Sequence, residues 1–384
     1  MTGARALGEP VTALQANTPK TPTKASCLCS VNEQRCIGYL PHQTMKKASH
    51  LAAALFAAFT LTSNLQAQPL VTIETVTVGD AGNAADTNGL GAVADAFAMG
   101  KYEVTIGQYT SFLNSVASVT SDSYVVNLWN TNMATDLNVA GISRSGSGIE
   151  GNPYSYSGRG SVNRPIAYVS WFSAARFANW MNNGATNGAS TEAGAYTLNG
   201  ATNGIILKNP GATWFIPSGD QWYKAAFYKG GGTNAGYWDF PTQSDTTPGN
   251  VIGGESNQAN FINNNGEYSV TQSTNYSPSQ NYLTDVGAFS SSAGAYGTFD
   301  QGGNVMEWND AVVDVNQRGV RGGAYDYGAD HLQSSFTGGV SLNPVQEFDD
   351  VGFRVAVVPE PSTYALLLMA GAGWLLWKRR KVTL

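Results

Sequence analysis

GNVMEWND, residues 303–310, is followed by RGGAY at 321–325 and VGFRVAV at 351–357. Each piece is short, largely apolar and punctuated by glycine, which permits positive φ and lets backbones approach closely. This layout predicts short extended segments locked by fixed turns instead of long regular strands. Arg321 precedes Gly322 directly, and Arg354 follows Gly352 by two residues. Both are expected to staple the glycine-rich layers through carboxylate or carbonyl contacts.

Upstream, one device recurs three times. YEVTIGQYTSFLN (102–114) begins with a strand-like Tyr102 to Val104, after which Thr105 can cap a helix that carries Ile106, Tyr109, Leu113 and Val116 on one side. RPIAYVSWFSAARFANWMN (164–182) reads as an extended Ile166 to Val169, Ser170 as N-cap, and an apolar stripe that stops at Gly184. FIPSGDQWYKAAFY (215–228) has Ser218 and Gln221 at capping-box spacing, with Trp222, Ala225 and Ala226 as the buried face. Gly, Ser, Asn and Thr crowd 118–163, 183–204 and 229–298, which read as long loops.

The chain has 384 residues, a formal net charge of -6 and 12% charged residues. It is too poor in charge for a disordered polyelectrolyte and too long for one minimal domain. The two ends differ from the middle. MKKASHLAAALFAAFTLTSNLQAQ, from Met45, has two lysines, an apolar core and small residues up to Ala67, the layout of a secretory signal over 45–67. Residues 1–44 are then a non-native or disordered extension; a cytoplasmic extension ahead of a signal anchor is the alternative. At the other end Pro359, Glu360 and Pro361 precede an apolar run from Tyr364 to Trp377 and the cations Lys378 to Lys381. This run reads as a short transmembrane segment with its basic end in the cytoplasm.

Removing a leader that ends at Ala67 removes Cys27, Cys29 and Cys36, the only cysteines. Residues 68–358 contain 11 Lys and Arg against 24 Asp and Glu, a net of -13. That balance disfavours contact with nucleic acid or an anionic membrane and favours cations, calcium being the obvious one outside the cell. His331 is the one histidine of this region. It reads as a surface or hydrogen-bonding residue, although Asp330, Ser334 and Ser335 stand near it. The carboxylate pairs Asp349/Asp350 and Asp326/Asp330 suit acid–base work or solvated loops.

The tail resembles the PEP-CTERM sorting signal, in which a Pro-Glu-Pro motif, a short spanning segment and a basic end occur in order. The resemblance implies an exosortase as partner, export to the cell envelope or beyond with transient inner-membrane anchoring, and a host that makes extracellular polysaccharide. Between the ends, the three helix-bearing segments with GNVMEWND, RGGAY and GFRVA, over about 94–357, resemble the formylglycine-generating enzyme family, also called the sulfatase-modifying factor domain. The fold so implied is α+β with C-type-lectin-like topology, little regular secondary structure and many loops.

Enzymes of that family oxidise a sulfatase cysteine to formylglycine with Cu(I) held by two cysteines shortly after an RGGS turn. In this chain the turn reads RGGA, and the two positions carry Tyr327 and Leu332. A phenol and an alkyl chain cannot hold a soft monovalent copper. Copper is therefore not expected, nor is formylglycine chemistry. The resemblance further implies calcium at Asp300 and Glu307 with the carbonyls of Gly303 and Val305, and a second site beginning at Asn260 with the Phe261 carbonyl. Asp300 and Glu307 have a second reading, as carboxylates that satisfy buried amides without metal. Three functions stand open: a noncatalytic, calcium-stabilised domain that binds polysaccharide or an envelope protein; an active oxidase; or a structural matrix protein. For the first, loop aromatics Tyr154, Tyr156, Tyr237, Trp238, Tyr268 and Tyr282 are candidate stacking surfaces.

Overall fold

The computed structural model describes residues 68–117, 128–148, 152–338 and 341–358. The leader read at 45–67, the extension 1–44 and the sorting tail with Pro359, Glu360 and Pro361 lie outside the described residues.

Two four-stranded sheets carry the architecture. In one, β1 (Thr75–Val78), β2 (Phe97–Gly100), β10 (Ala356–Val357) and β5 (Trp214–Phe215) are neighbours in that order, all antiparallel. In the other the order is β8 (Ser341–Leu342), β7 (Gln317–Arg321), β6 (Met306–Asp314) and β9 (Val351–Phe353), with β6 and β9 parallel. A separate hairpin pairs β3 (Ile142–Ser145) with β4 (Ser155–Gly158). The rest, apart from three helices and two single turns, is loop, as the glycine and asparagine content requires.

The helices follow the capping logic. In α1 (Ile106–Ala117) the Gln108 amide donates to Thr105 Oγ1 at 3.3 Å, and the Gln108 side chain accepts from the Thr105 amide at 2.9 Å. Ser170 caps α2 (Trp171–Asn182) through the Ser173 amide, and past its end Gly184 takes φ of +92°. Ser218 and Gln221 form a full capping box at α3 (Gly219–Phe227). Two details depart from the sequence reading. The strand ahead of α1 is Phe97–Gly100, not Tyr102 to Val104, because Glu103 is drawn into the interior. Ile166 to Val169 forms no strand, since Tyr168 at φ of +58° breaks the extended run.

The core lies where α1 and α2 cross the β9 end. Tyr109, Phe112, Phe177, Trp180 and Phe353 pack with ring centroids 5.3–6.4 Å apart, mostly edge-to-face. Trp308 is fully buried and donates to the Val169 carbonyl at 2.8 Å, which ties β6 to the start of α2.

Arg354 joins the two sheets, because it is one of the two residues between β9 and β10. Its side chain is fully buried. Nε and Nη2 each donate to a different oxygen of Glu307 on β6 at 2.6 Å, Nη1 donates to the Gly100 carbonyl at 3.0 Å and Nη2 to the Phe299 carbonyl at 2.8 Å. Trp222 of α3 completes the set, its indole N–H donating to Glu307 Oε2 at 2.7 Å. One ion pair therefore fixes β2, β6, the β9–β10 junction and α3. Removing one member leaves the other charged and unsatisfied in the interior, which typically costs about 3–5 kcal/mol, whereas removing both costs less than the sum. Arg354→Met should thus destabilise the domain by about 3–5 kcal/mol in urea unfolding, and Glu307→Gln combined with it should be strongly sub-additive. A cost below about 1 kcal/mol for the single change would show that the pair does not hold the sheets.

Candidate functional site

The segment after RGGAY forms the floor of the candidate site. Gly322 and Gly323 both take positive φ, +108° and +68°, which turns the chain out of β7 and aims Tyr325 inward. Leu332 is 1% exposed and packs with Phe240, Ala259, Phe261 and Ala329. Its methyl groups lie so close to Gly323 that a Cβ there would come within 2.9 Å. Leu332 is therefore a core residue, sealed by its own apolar cluster. Tyr327 is half-buried, and its ring packs on His331 at 4.5 Å. His331 in turn meets Phe336 at 4.3 Å and Asp330 at 3.1 Å. The serines beside it form no triad with it: the Ser335 hydroxyl donates to Gln333.

Beside this floor runs a ladder of tyrosines. Tyr276 and Tyr282 stack at 5.9 Å and 11°, and Tyr282 and Tyr325 stack at 5.9 Å and 5°. Tyr268 closes on Tyr282 at 4.4 Å. The ladder runs from Tyr276, 58% exposed, to the buried Tyr325 of the RGGAY turn. Hydroxyls hold it in register: Tyr276 donates to Asn138 Oδ1 at 2.6 Å and Tyr325 to Asp349 Oδ2 at 3.1 Å.

Three aspartates gather at the inner end. Desolvation, then the charges of Asp350 and Asp349, pushes the Asp326 carboxyl up to about 7. Burial, then Asp349, pushes Asp350 up to about 6. Like charges this close resist ionising together. Asp326 was paired with Asp330 on sequence spacing, but the fold sends Asp330 to His331 and Asp326 to Asp349 and Asp350.

The calcium-type positions lie elsewhere, around the sheet junction. Glu307 has both oxygens engaged by Arg354, and Oε2 also by Trp222. Asp300, at φ of +59°, accepts from the Gly287 amide at 2.6 Å, and desolvation pushes its carboxyl up to about 6. Gly303, at φ of +83°, lies against Asn260, whose carbonyl a Cβ would meet at 2.1 Å. Val305 is buried beside them. Asn260 itself donates to the Tyr282 carbonyl and to Asn304, and the Phe261 carbonyl accepts from Asn250. Among the described residues no three His, Cys, Asp or Glu side chains converge as a metal-ligating group.

Glu103 was missed by sequence reasoning, where it is one polar residue in a strand-like YEV. It is 1% exposed, and neither carboxylate oxygen has a hydrogen-bond partner from another residue. Burial, then the charge of Asp300, raises its pKa well above the ordinary range. With Glu103, Asp300 and Glu307 ionised against the single Arg354, the junction would hold two uncompensated negative charges.

The loop aromatics divide. Tyr156 and Tyr282 are buried, Tyr268 joins the ladder, and Tyr237 packs on Tyr223 and Tyr228. Trp238 lies under Lys229, and Tyr154 with Trp129 clasps the Arg144 guanidinium at 4.5 and 4.2 Å.

Comparison with known proteins matches this architecture. A family model described as the sulfatase-modifying factor enzyme 1-like domain covers residues 67–358, and a PEP-CTERM protein-sorting motif covers 357–381. No curated protein matches the chain significantly. Solved structures similar to the chain include the following three. CarF is 18% identical with a TM-score of 0.40, covering 75% of this chain and 99% of its own. Treponema denticola variable protein 1 is 17% identical with a TM-score of 0.41, covering 75% and 96%. PvdO from Pseudomonas aeruginosa is 15% identical with a TM-score of 0.37, covering 75% and 93%. Likeness at these values says nothing of activity. The sorting motif indicates export to the cell envelope and exosortase-dependent processing. With its α+β architecture and matched span, the chain belongs to the sulfatase-modifying factor enzyme 1-like (FGE-sulfatase) family and carries a PEP-CTERM motif.

Proposed function

We propose that residues 68–358 form a noncatalytic binding domain whose groove, floored by the RGGAY turn and walled by the tyrosine ladder, takes an extracellular polysaccharide. The observation that carries this reading is the ladder from Tyr276 to Tyr325 beside Asp326, Asp349 and Asp350. Tyr276, 58% exposed at the outer end of the ladder, offers a flat apolar face to a sugar ring while the buried rings behind it hold it in place, and carboxylates accept hydroxyl protons. The oxidase reading is disfavoured by the same floor: Leu332 is sealed in its cluster, and a phenol replaces the other sulfur donor. The tail holds the protein at the inner membrane through its short apolar run until an exosortase processes it.

For calcium the reading is a site at the sheet junction with a donor set altered from the expected one. Asp300 and Glu103 would hold it, together with the Gly303 and Val305 carbonyls, while Glu307 serves Arg354. A hard divalent cation would displace the proton that burial favours on Glu103 and balance the charges of Glu103 and Asp300. It would also satisfy the orphaned Glu103 oxygens, which are costly to leave bare. Asn260 belongs to the hydrogen-bonded wall that shapes this region, and no second calcium site is proposed there.

Three outcomes check these statements. Titration of the exported chain with polysaccharide from an exopolysaccharide-producing bacterium should show saturable binding that Tyr276→Ala weakens by about 1 kcal/mol, roughly fivefold. Binding to envelope proteins but to no glycan would replace the ligand class. A sulfatase-derived cysteine peptide incubated with the protein and oxygen should yield no aldehyde by mass spectrometry; aldehyde formation would return the enzyme reading. Millimolar calcium should stabilise the domain by about 1–3 kcal/mol, and Glu103→Gln should remove most of that gain. An unchanged melting curve would leave the junction metal-free.

A further inference from the structure

A cleft of about 520 Å³ lies between the first residues of the domain and β5, lined by Pro69, Val71, Ile73, Met181, Ala185 and Trp214 among others. None of its lining residues is charged. Both ends of the domain meet there. The Leu70 amide donates to the Ala185 carbonyl at 2.9 Å, which sets the N-terminal segment on the cleft wall. Val357 pairs with Trp214, and the Val358 amide donates to the Thr213 carbonyl at 2.9 Å. The segments beyond, the leader read at 45–67 and the tail from Pro359, are the two apolar stretches of the chain.

The tether on the C-terminal side is short. Only Pro359 to Thr363 separate Val358 from the apolar run that starts at Tyr364. Five residues reach at most about 18 Å. The headgroup layer between water and hydrocarbon takes up about 5–8 Å of that. With the tail inserted, the β10 end is therefore held within about 10–13 Å of the headgroups. The domain can rotate about this point, and its charge selects the face presented. Residues 68–358 have a net charge of -13, which an anionic lipid surface repels. The uncharged cleft, with Leu70 48% exposed at its edge, is the surface beside the tether that can settle against lipid without that penalty.

We propose that this cleft is the membrane-facing surface of the tail-anchored protein and that its occupant is the headgroup–acyl boundary of the bilayer. The inference rests on the anchoring by the tail proposed above. It places the cleft against lipid before processing and frees it afterwards.

The chain from Gln68 onward has no cysteine, so single cysteines can be labelled without background. Leu70→Cys, Thr72→Cys and, in the tyrosine groove, Tyr276→Cys would carry an environment-sensitive fluorophore. Each labelled chain, tail intact, is reconstituted into phosphatidylethanolamine–phosphatidylglycerol vesicles containing headgroup nitroxide lipid. Flotation and quenching are then read on the same sample. The expected result is co-flotation, with quenching at positions 70 and 72 at least threefold that at 276. Co-flotation with equal quenching at all three, or more at 276, would overturn the orientation while leaving the anchoring intact. Absence of co-flotation would overturn the anchoring and this inference with it. Thr72→Cys keeps the test decisive if Leu70→Cys fails to fold.

Discussion

The buried ion pair between Glu307 and Arg354 is the constraint on which the rest of the structure depends. A domain with so little regular structure has few hydrogen-bond ladders to define it, and strands of two to five residues, as all but β6 are, do not fix their own register. The guanidinium supplies what the ladders lack. It reads a carboxylate on β6 and main-chain carbonyls at the end of β2 and at Phe299, so the two sheets can meet in one arrangement only. Desolvating two charges is expensive, and this pair is tolerable because both oxygens and all three guanidinium nitrogens are used. The glycines nearby follow from the same geometry: Gly303 has the Asn260 backbone against it, and Gly352 has the Ile166 carbonyl within 2.5 Å of where a Cβ would stand.

Much of this frame is legible in the sequence because its signals are local. A hydroxyl residue followed by an apolar stripe specifies each helix start, and Ser218 with Gln221 does so completely. The motifs GNVMEW, RGGAY and GFR mark the layers. What escaped is non-local. Glu103 looks like any polar residue beside a strand until the fold buries it next to Asp300. Tyr276, Tyr282 and Tyr325 are spread over fifty residues, and no period links them. Glu307 was identifiable as a buried carboxylate, but whether it faces a cation or a guanidinium depends on where Arg354 arrives, 47 residues later.

Tyr327 and Leu332, the two positions where the family resemblance implies copper ligands, stand in different surroundings. The turn after β7 places Tyr327, half-buried, against His331, while Leu332 lies in the core. Apolar burial of Leu332 with Phe240, Ala259, Phe261 and Ala329 stabilises this part of the fold. Beside them, the Tyr325 hydroxyl is held by Asp349 and the Tyr276 hydroxyl by Asn138, which fixes the ladder in one arrangement.

The central claim is that the exported groove has no site for a soft monovalent metal. Its most direct test is competition for copper(I) between the chain from Gln68 onward and a chromophoric chelator, under reducing, oxygen-free conditions. The account predicts that the protein withdraws no copper from the chelator. Withdrawal of one equivalent, abolished by a substitution at Tyr327, would contradict it.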